Sequence, residues 1–403
     1  MRDRVFWKER MERMKKFQSV VFSIACLAML VLSCPTATAE EQITINVFNW
    51  GEYISDGSDG TLDVNAEFEK RTGIKVNYSN YETNEAMYSK LKNGGASYDV
   101  IIPSDYMIAR LIQEDMLEKI NFDNIPNIQY IDEKFKDGNC SFDPTGEYSV
   151  AYTWGDVGLV YNSSVITEEP DSWNALWNEE YKGKIIMFNN PRDAFAIAQK
   201  LLGYSFNSTD ESEWRAAYDK LMEQKPLVQG YFTDEIFNKM ESGEAIIAPC
   251  YAGDFLVMHD NNEDLSFVYP KEGFNTFIDS ICIPKGCKNK EAAEQYINFL
   301  CDPEIALANI EYIGYSSPNN AVLEMEDYSL VDSPEAYPDA ETLERGETFE
   351  MLDPQIQSLM DELWSNVKKA EVGAALYIVI AAIVVLIVVV FLLRWRKKRA
   401  AEE

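Results

Sequence analysis

Short apolar, β-branched runs alternate with amphipathic stretches along most of this 403-residue chain, and that alternation predicts an α/β fold built on a parallel sheet. The length is enough for two lobes, each with its own core. A separate run of twenty residues near the C-terminus, 374–393, is apolar except for Tyr377 and predicts one membrane-spanning helix.

The stretch Phe48-Asn49-Trp50-Gly51-Glu52-Tyr53 anchors the reading. It follows a strand pattern over residues 43–47 and precedes a Ser-, Asp- and Gly-rich loop over 54–61. A helix pattern through Val64, Phe68 and Arg71 stops at Gly73, and a second strand follows over 74–78. Trp50, Glu52 and Tyr53 are therefore expected just past the carboxyl end of a strand, the edge of an open α/β sheet where ligands bind. Residues 84–93 read as a helix, with Met87 and Leu91 on one face. Residues 98–102 read as a buried parallel strand ending at Pro103, with Ser104 and Tyr106 at its end and a helix over 107–117.

Further along, residues 159–161 open a second series. A helix is expected from Ser172-Trp173 through Leu176, Trp177 and Tyr181, then a strand over 185–188. That strand delivers Asn190 and Asp193 to a turn before a helix over 194–202. A strand over 245–249 delivers Tyr251, Gly253 and Asp254 to a turn before a helix over 255–259, and a strand over 267–269 comes before Phe277, Asp279 and Ser280, which are expected after a glycine-containing turn. Residues 291–300 form a good helix pattern, and Tyr315 lies in the turn Gly314-Tyr315-Ser316-Ser317-Pro318. Met351, Ile356, Leu359, Met360, Leu363 and Trp364 recur at helical spacing and read as a core helix.

The two ends read as addresses. Residues 1–16 carry seven Lys and Arg against three acids, an apolar run covers 20–32, and Ala37-Thr38-Ala39 offers a cleavage site. That is a secretory signal over residues 1–39. Lipidation of Cys34 and an uncleaved anchor are the alternatives. Arg394, Arg396, Lys397, Lys398 and Arg399 follow the apolar run directly, which puts the tail over 394–403 in the cytoplasm and the main body outside the cell membrane.

A formal net charge of −31 disfavours nucleic acid and anionic headgroups and favours cations, though acidity also serves solubility. A single histidine, His259, argues against a histidine-based metal site or a Ser-His-Asp triad. No Gly-rich phosphate cradle and no CxxC pair occur. Cys282 and Cys287 are close enough in sequence to bridge, but buried thiols are the simpler expectation. Paired carboxylates such as Asp254 and Asp279 are compatible with hydrolysis, but no nucleophile or oxyanion motif accompanies them, so no enzyme and no cofactor is expected.

The motifs taken in series resemble a known family. The stretch 48–53, Pro103-Ser104-Asp105-Tyr106, Tyr152-Thr153-Trp154-Gly155, Tyr269-Pro270-Lys271-Glu272-Gly273, Asp279-Ser280, Gly314-Tyr315-Ser316-Ser317-Pro318-Asn319 and Tyr337-Pro338-Asp339-Ala340 together resemble the spermidine/putrescine-binding proteins of ABC transporters, the PotD/PotF type. The resemblance runs over about residues 42–350. It implies a two-lobe periplasmic-binding-protein fold with interleaved lobes, 41–154 with 278–323 and 155–277 with 324–366. It also implies a polyamine ligand in the cleft and an ABC permease as partner. Carried over position by position, it assigns ligand contacts to Trp50, Glu52, Tyr53, Ser104, Tyr106, Asp193, Tyr251, Asp254, Phe277, Asp279 and Tyr315. Asn190 stands where spermidine-preferring members carry Asp, and Tyr251 where Trp is usual. Asp254 and Phe277 match putrescine-preferring members, which points to a diamine. The chemistry agrees, because ammonium groups need carboxylates and methylenes need flat apolar walls. A different small cation or amino acid, or a sensor ectodomain, remains the alternative.

Overall fold

The structure is a computed structural model that describes Met11, Met14 and residues 42–94, 97–136 and 138–369. The signal reading over 1–39 and the spanning helix and basic tail over 374–403 lie outside the described residues. Among those that are described, no helix is long and apolar enough to cross a membrane. One compact unit begins at Thr44.

Ten strands form its sheet: β1 (Thr44–Trp50), β2 (Lys75–Tyr81), β3 (Val100–Ile101), β4 (Ser149–Asn162), β5 (Ile185–Phe188), β6 (Val228–Phe232), β7 (Ile247–Tyr251), β8 (Leu265–Val268), β9 (Phe274–Cys282) and β10 (Gly346–Glu347). The order is β2-β1-β3-β9-β4-β7-β5-β6, with β8 on β4 and β10 on β9. The α/β class holds, but the sheet is mixed rather than parallel. β1 runs parallel to β2 and β3, and β5 runs parallel to β6 and β7. Between these two parallel sets lie β4 and β9, antiparallel to each other. β4 is long enough to serve both sets. Its first half pairs with β9 through Asp156, and from Val157 onward it pairs with β7 and β8. Nearly all of its fourteen residues are buried, so this single strand is covered on both faces.

Local chemistry fixes the helix starts. Asp63 accepts from the Ala66 N–H at the head of the helix Val64–Thr72, and Gly73 closes that helix in the left-handed region at φ 76°. Thr83 caps the helix Asn84–Lys92 in the same way. Asn190 caps the helix Pro191–Leu201, with Pro191 at its first position, where a missing N–H costs nothing. The last described helix, Pro354–Lys368, buries Ile356, Leu359, Met360, Leu363 and Val367, the stripe its spacing called for.

Several expectations need correction. β1 extends to Trp50, so Trp50 is the strand's last residue, and β3 shrinks to two residues. The helix expected from Trp173 is instead two 3-10 turns, Trp173–Trp177 and Glu179–Tyr181, because the side chains of Ser172 and Asn178 each accept from the N–H two residues on and restart the turn. Gly253 and Asp254 already belong to the helix Ala252–Asn261. Phe277 and Asp279 do follow the glycine-containing turn that Gly273 closes, but they lie in the middle of a strand, β9, that was not expected at these positions. The cysteines, by contrast, agree with the simpler expectation: Cys140, Cys250, Cys282, Cys287 and Cys301 are free thiols, all buried except Cys287, which is half-buried.

The buried stripe of the helix Pro354–Lys368 closes the core from the C-terminal side. Replacing Leu363, 4 % exposed, with Ala should lower the unfolding free energy in urea by about 2–5 kcal/mol. A loss below about 0.5 kcal/mol, the size of a surface substitution, would mean that this helix does not pack as described.

Candidate functional site

All eleven residues singled out from the sequence line one cleft. The space between its walls is about 780 Å³ with the open mouth included. The residues reach it from six places in the chain.

The first is the turn after β1. Trp50 ends the strand, Glu52 takes a positive φ of 46°, and Tyr53 turns inward. Asn49 Nδ2 and the Tyr152 hydroxyl both donate to the Tyr53 carbonyl, at 3.3 and 2.8 Å, which fixes the turn. A Cβ at Gly51 would sit 2.3 Å from Asp234 Oδ2, so the end of that exposed side chain would have to swing aside. The second place is the start of the helix Asp105–Gln113, where Ser104 and Tyr106 are tied together by Asn84. Its Nδ2 lies 3.1 Å from both hydroxyl oxygens.

Asp193 occupies the first turn of the helix Pro191–Leu201, and Asp254 the first turn of the helix Ala252–Asn261. Tyr251 is the last residue of β7. Phe277 and Asp279 share one face of β9, two residues apart. Tyr315 follows the helix Pro303–Ile313 and lies flat against Gly253, where a Cβ would meet its ring at 2.3 Å.

Three carboxylates are each held by one tyrosine. The Tyr53 hydroxyl donates to Asp279 at 2.8 Å, Tyr251 to Asp193 at 2.8 Å and Tyr315 to Asp254 at 2.6 Å. Among the described residues, no Lys or Arg forms an ion pair with any of the three. Burial therefore dominates their ionisation. It pushes the carboxyls of Asp193 and Asp254 up to about 7 and that of Asp279 up to about 6, with the tyrosine hydroxyls opposing the rise. The Oδ1 atom of Asp279 is buried with no hydrogen-bond partner.

The walls between these carboxylates are aromatic. Tyr53 meets Tyr315 edge-on at 4.8 Å, Tyr251 meets Phe277 at 5.5 Å, and Phe188 lies 4.9 Å from Tyr251. The cleft thus offers flat apolar surface between anionic points, a pattern that suits an aliphatic chain carrying cations. Among the described residues, no set of three His, Cys, Asp or Glu side chains converges on a metal-binding position.

The sequence reading missed other lining residues. Glu82, Asp234 and Phe349 belong to segments without a motif, and Asn84 carries only a helix-start signal. Asn275 was findable, since it stands two residues before Phe277 and four before Asp279 on one strand. Arg192 lies behind the cleft, 1 % exposed, and was also unmarked. Its Nη2 donates to Asn207 Oδ1 and to the Glu350 carbonyl, both at 2.9 Å, and its guanidinium lies 4.6 Å over the ring of Phe349.

Comparison with known proteins places this geometry among relatives. The family model described as bacterial extracellular solute-binding protein matches residues 64–342. The spermidine/putrescine-binding periplasmic protein of Salmonella typhimurium is 36% identical over 336 residues, covering 83% of this chain and 93% of the relative. The putrescine-binding periplasmic protein PotF of Escherichia coli is 26% identical over 362 residues, covering 85% and 96%. Among solved structures, a putative spermidine/putrescine ABC transporter from Listeria monocytogenes matches with a TM-score of 0.76 at 36% identity, over 81% of this chain and 98% of that one. PotD from Streptococcus pneumoniae matches with a TM-score of 0.66 at 35% identity, over 81% and 99%.

The raised carboxyls set a pH dependence. In an unfolded chain an Asp titrates near 3.9, whereas Asp193 and Asp254 titrate at about 7 and Asp279 at about 6 in the folded one. Between those values the folded protein holds the more protons, so these groups make the unfolding free energy fall as pH rises. Buried Asp105 and Asp156, raised to about 8 and about 6, act in the same direction. Without ligand, the thermal midpoint should be lower at pH 8 than at pH 5. Asp193→Asn combined with Asp279→Asn should shrink that difference. A midpoint that climbs from pH 5 to 8, unchanged in slope by the double substitution, would show that these carboxyls ionise as freely folded as unfolded.

Proposed function

The chain belongs to the bacterial extracellular solute-binding protein family, and within it to the spermidine/putrescine-binding proteins of the PotD/PotF type, and from that premise we propose how it works. It is the polyamine-binding component of an ABC transporter, a binding protein and not an enzyme. In the proposed mechanism, a polyamine enters the cleft as a polycation. Asp193, Asp254 and Asp279 take its ammonium groups, and Glu52 adds charge at the mouth. Trp50, Tyr53, Tyr106, Tyr251, Phe277 and Tyr315 pack along its methylenes, and Ser104 supports the site from the start of its helix. The observation that carries this reading is the set of three carboxylates, Asp193 and Asp279 buried and Asp254 half-buried, each held by a tyrosine hydroxyl and none in an ion pair among the described residues.

The energetics are sufficient. A hydrogen bond to a charged group contributes about 1.5–3 kcal/mol, and a cation–π contact about 0.5–2 kcal/mol. A micromolar complex needs only about −8 kcal/mol. Two or three such contacts and the aromatic walls reach that level after ordering costs. The cation also supplies the countercharge that the buried carboxylates lack, so binding should draw them into the ionised form and release protons.

Two lobes, 41–154 with 278–323 and 155–277 with 324–366, close on the ligand by a hinge and hand it to a permease in the membrane. A diamine of the putrescine type is favoured over spermidine. Asp254 and Phe277 support that preference, as does Asn190, which removes one charge from the inner end. The apolar run 374–393, followed by five basic residues, supports a single-pass anchor with the binding lobes outside the cell membrane and the tail inside. The basic and apolar N-terminus supports export, with cleavage after Ala39.

Ligand preference is read by thermal unfolding of the full-length protein with putrescine, cadaverine, spermidine, spermine and a panel of amino acids. A ligand at about 100 times its Kd adds roughly 2.7 kcal/mol of stability. Putrescine should give the largest rise at equal concentration. A larger rise with spermidine keeps the family and discards the diamine preference, and a rise only with an amino acid discards the polyamine. Asp279→Ala should weaken every polyamine by about 100-fold, the equivalent of roughly 2.7 kcal/mol. Affinity near that of the wild type would remove Asp279 from the site. For the anchor, cell fractionation decides. The full chain should stay with the membrane, and a chain lacking residues 370–403 should leave it; a full chain recovered in the soluble fraction would discard the anchor.

A further inference from the structure

β9 presents three alternate residues to the cleft. Asn275, Phe277 and Asp279 all line it, as residues two apart on one strand must when that face borders a cavity. Asp279 and Phe277 already have roles in the proposed site, whereas Asn275 has none. Its side chain is 5 % exposed, and its Oδ1 atom makes no hydrogen bond among the described residues. A buried amide oxygen without a partner is uncommon and costs stability unless something supplies a donor.

The surroundings say where that donor would come from. Asn275 and Asp193 together also line a small chamber adjoining the cleft, walled by Trp173, Ala196, Phe206, Phe274 and the side chain of Lys200. The Lys200 ammonium is taken by Glu347, so it does not serve the Asn275 oxygen. The other amide at this end, Asn190, is engaged, since its Oδ1 accepts from the Arg192 N–H at 3.1 Å as the cap of its helix. Asn275 is therefore a free acceptor that shares the lining of both spaces with Asp193, and, unlike the equally unpartnered Glu85 Oε2, it carries no charge. Four residues at about 3.3 Å each put roughly 13 Å between the Cα atoms of Asn275 and Asp279. Phe277 lies between them on the same face, and both ends carry an unpartnered buried oxygen.

We propose that Asn275 is a further ligand-contacting residue of this cleft, its carboxamide oxygen accepting a hydrogen bond from an ammonium group held at the inner end beside the Asp193 carboxylate. The inference rests on the polyamine reading and deepens it. An amide oxygen accepts an N–H without adding charge, so the inner end gains a directional contact with no further anion to repel Asp193 and Asp279. The class of ligand that uses it is a linear aliphatic polyammonium ion lying along β9, with its methylenes on Phe277.

Calorimetric titration of putrescine and spermidine into the full-length protein tests this, with the ligand-free thermal midpoint measured alongside. Asn275→Leu keeps the volume and removes the acceptor. It should weaken the better of the two ligands about 10- to 100-fold, while the ligand-free midpoint stays level or rises because an unsatisfied acceptor is gone. Asn275→Asp keeps an acceptor and should bind within about threefold of wild type or tighter. Asn275→Ala repeats the loss without the branched side chain if the Leu variant does not fold. Binding by the Leu or Ala variant within twofold of wild type would overturn the proposal. A fall in the ligand-free midpoint with unchanged affinity would do so as well, because it would assign the amide a purely structural bond. If the wild-type protein binds neither ligand, the polyamine reading fails and this inference fails with it. Tight wild-type binding with an indifferent Asn275 variant sinks this inference alone.

Discussion

Two buried aspartates, Asp193 and Asp279, and the half-buried Asp254 share one cleft, each taking a hydrogen bond from a tyrosine hydroxyl and none forming an ion pair among the described residues, and much of the architecture follows from that constraint. A hydroxyl gives a buried carboxylate direction but no countercharge, so desolvation raises its pKa and leaves the site short of positive charge. Each tyrosine comes from a different segment from its aspartate: Tyr53 reaches Asp279, Tyr251 reaches Asp193, and Tyr315 reaches Asp254. The carboxylates therefore stay in position only while the aromatic cluster stays packed. Tyr53 and Tyr315 lock edge to face at 89°, and Tyr315 in turn rests on a glycine that leaves room for it.

That packing depends on the two long central strands. β4 and β9 pair across the middle of the sheet, with a register shift between Ala151 and Thr153. The shift leaves Tyr152 as the extra residue, the usual effect of a bulge beside a site. Thr153 then meets the Tyr53 hydroxyl, while the Tyr152 hydroxyl reaches the Tyr53 carbonyl at 2.8 Å. Asn309 completes the arrangement. Its Nδ2 donates to the Tyr152 hydroxyl at 2.7 Å and its Oδ1 accepts from the Ser55 N–H at 2.9 Å. The turn that carries Trp50, Glu52 and Tyr53 is thus held from both sides by residues about 100 and 250 positions away.

Such long-range ties explain which parts of the protein were legible in its sequence. The helix stop at Gly73 and most of the buried stripe of Pro354–Lys368, namely Ile356, Leu359, Met360 and Leu363, are local signals, and they read correctly. Trp50, Tyr53, Asp193 and Asp254 sit at strand ends and helix starts, where polar groups near a sheet edge invite a ligand. The roles given to all eleven candidates came from motifs in series, and the cleft gathers all eleven. What did not read was the direction of the sheet and the placement of Phe277 and Asp279. β9 is buried on nearly every residue, so the alternation that marks a half-exposed strand is absent, and only the turn that Gly273 closes just before it was legible. Asp234, Phe349 and Arg192 were silent because their relation to the cleft depends on segments that meet only in the folded chain. The 3-10 turns at Trp173–Trp177 and Glu179–Tyr181 have the apolar spacing of a helix, and side-chain capping outweighs that spacing.

Arg192 makes the cleft electrically uneven. It is the buried cation nearest the inner end, and its charge pulls down the carboxyl pKa values of Asp193, Glu85 and Asp105 against the burial that raises them. It does so without an ion pair to any of them among the described residues, its Nη2 hydrogen bonds going instead to Asn207 and the Glu350 carbonyl. Desolvation lowers its own pKa to about 10, and it stays charged at any physiological pH. The other end has no such partner. Glu52 and Asp234 both push Asp254 further up, and Glu52 and Glu82 do the same to Asp234 at the rim. In the proposed function, a polycation approaching the cleft first meets the exposed carboxylates of Glu52 and Asp234 and then those of Asp193, Asp254 and Asp279. On that reading, unpaired charge at the rim draws the cation in, and the tyrosine-held oxygens inside decide how well its nitrogens fit.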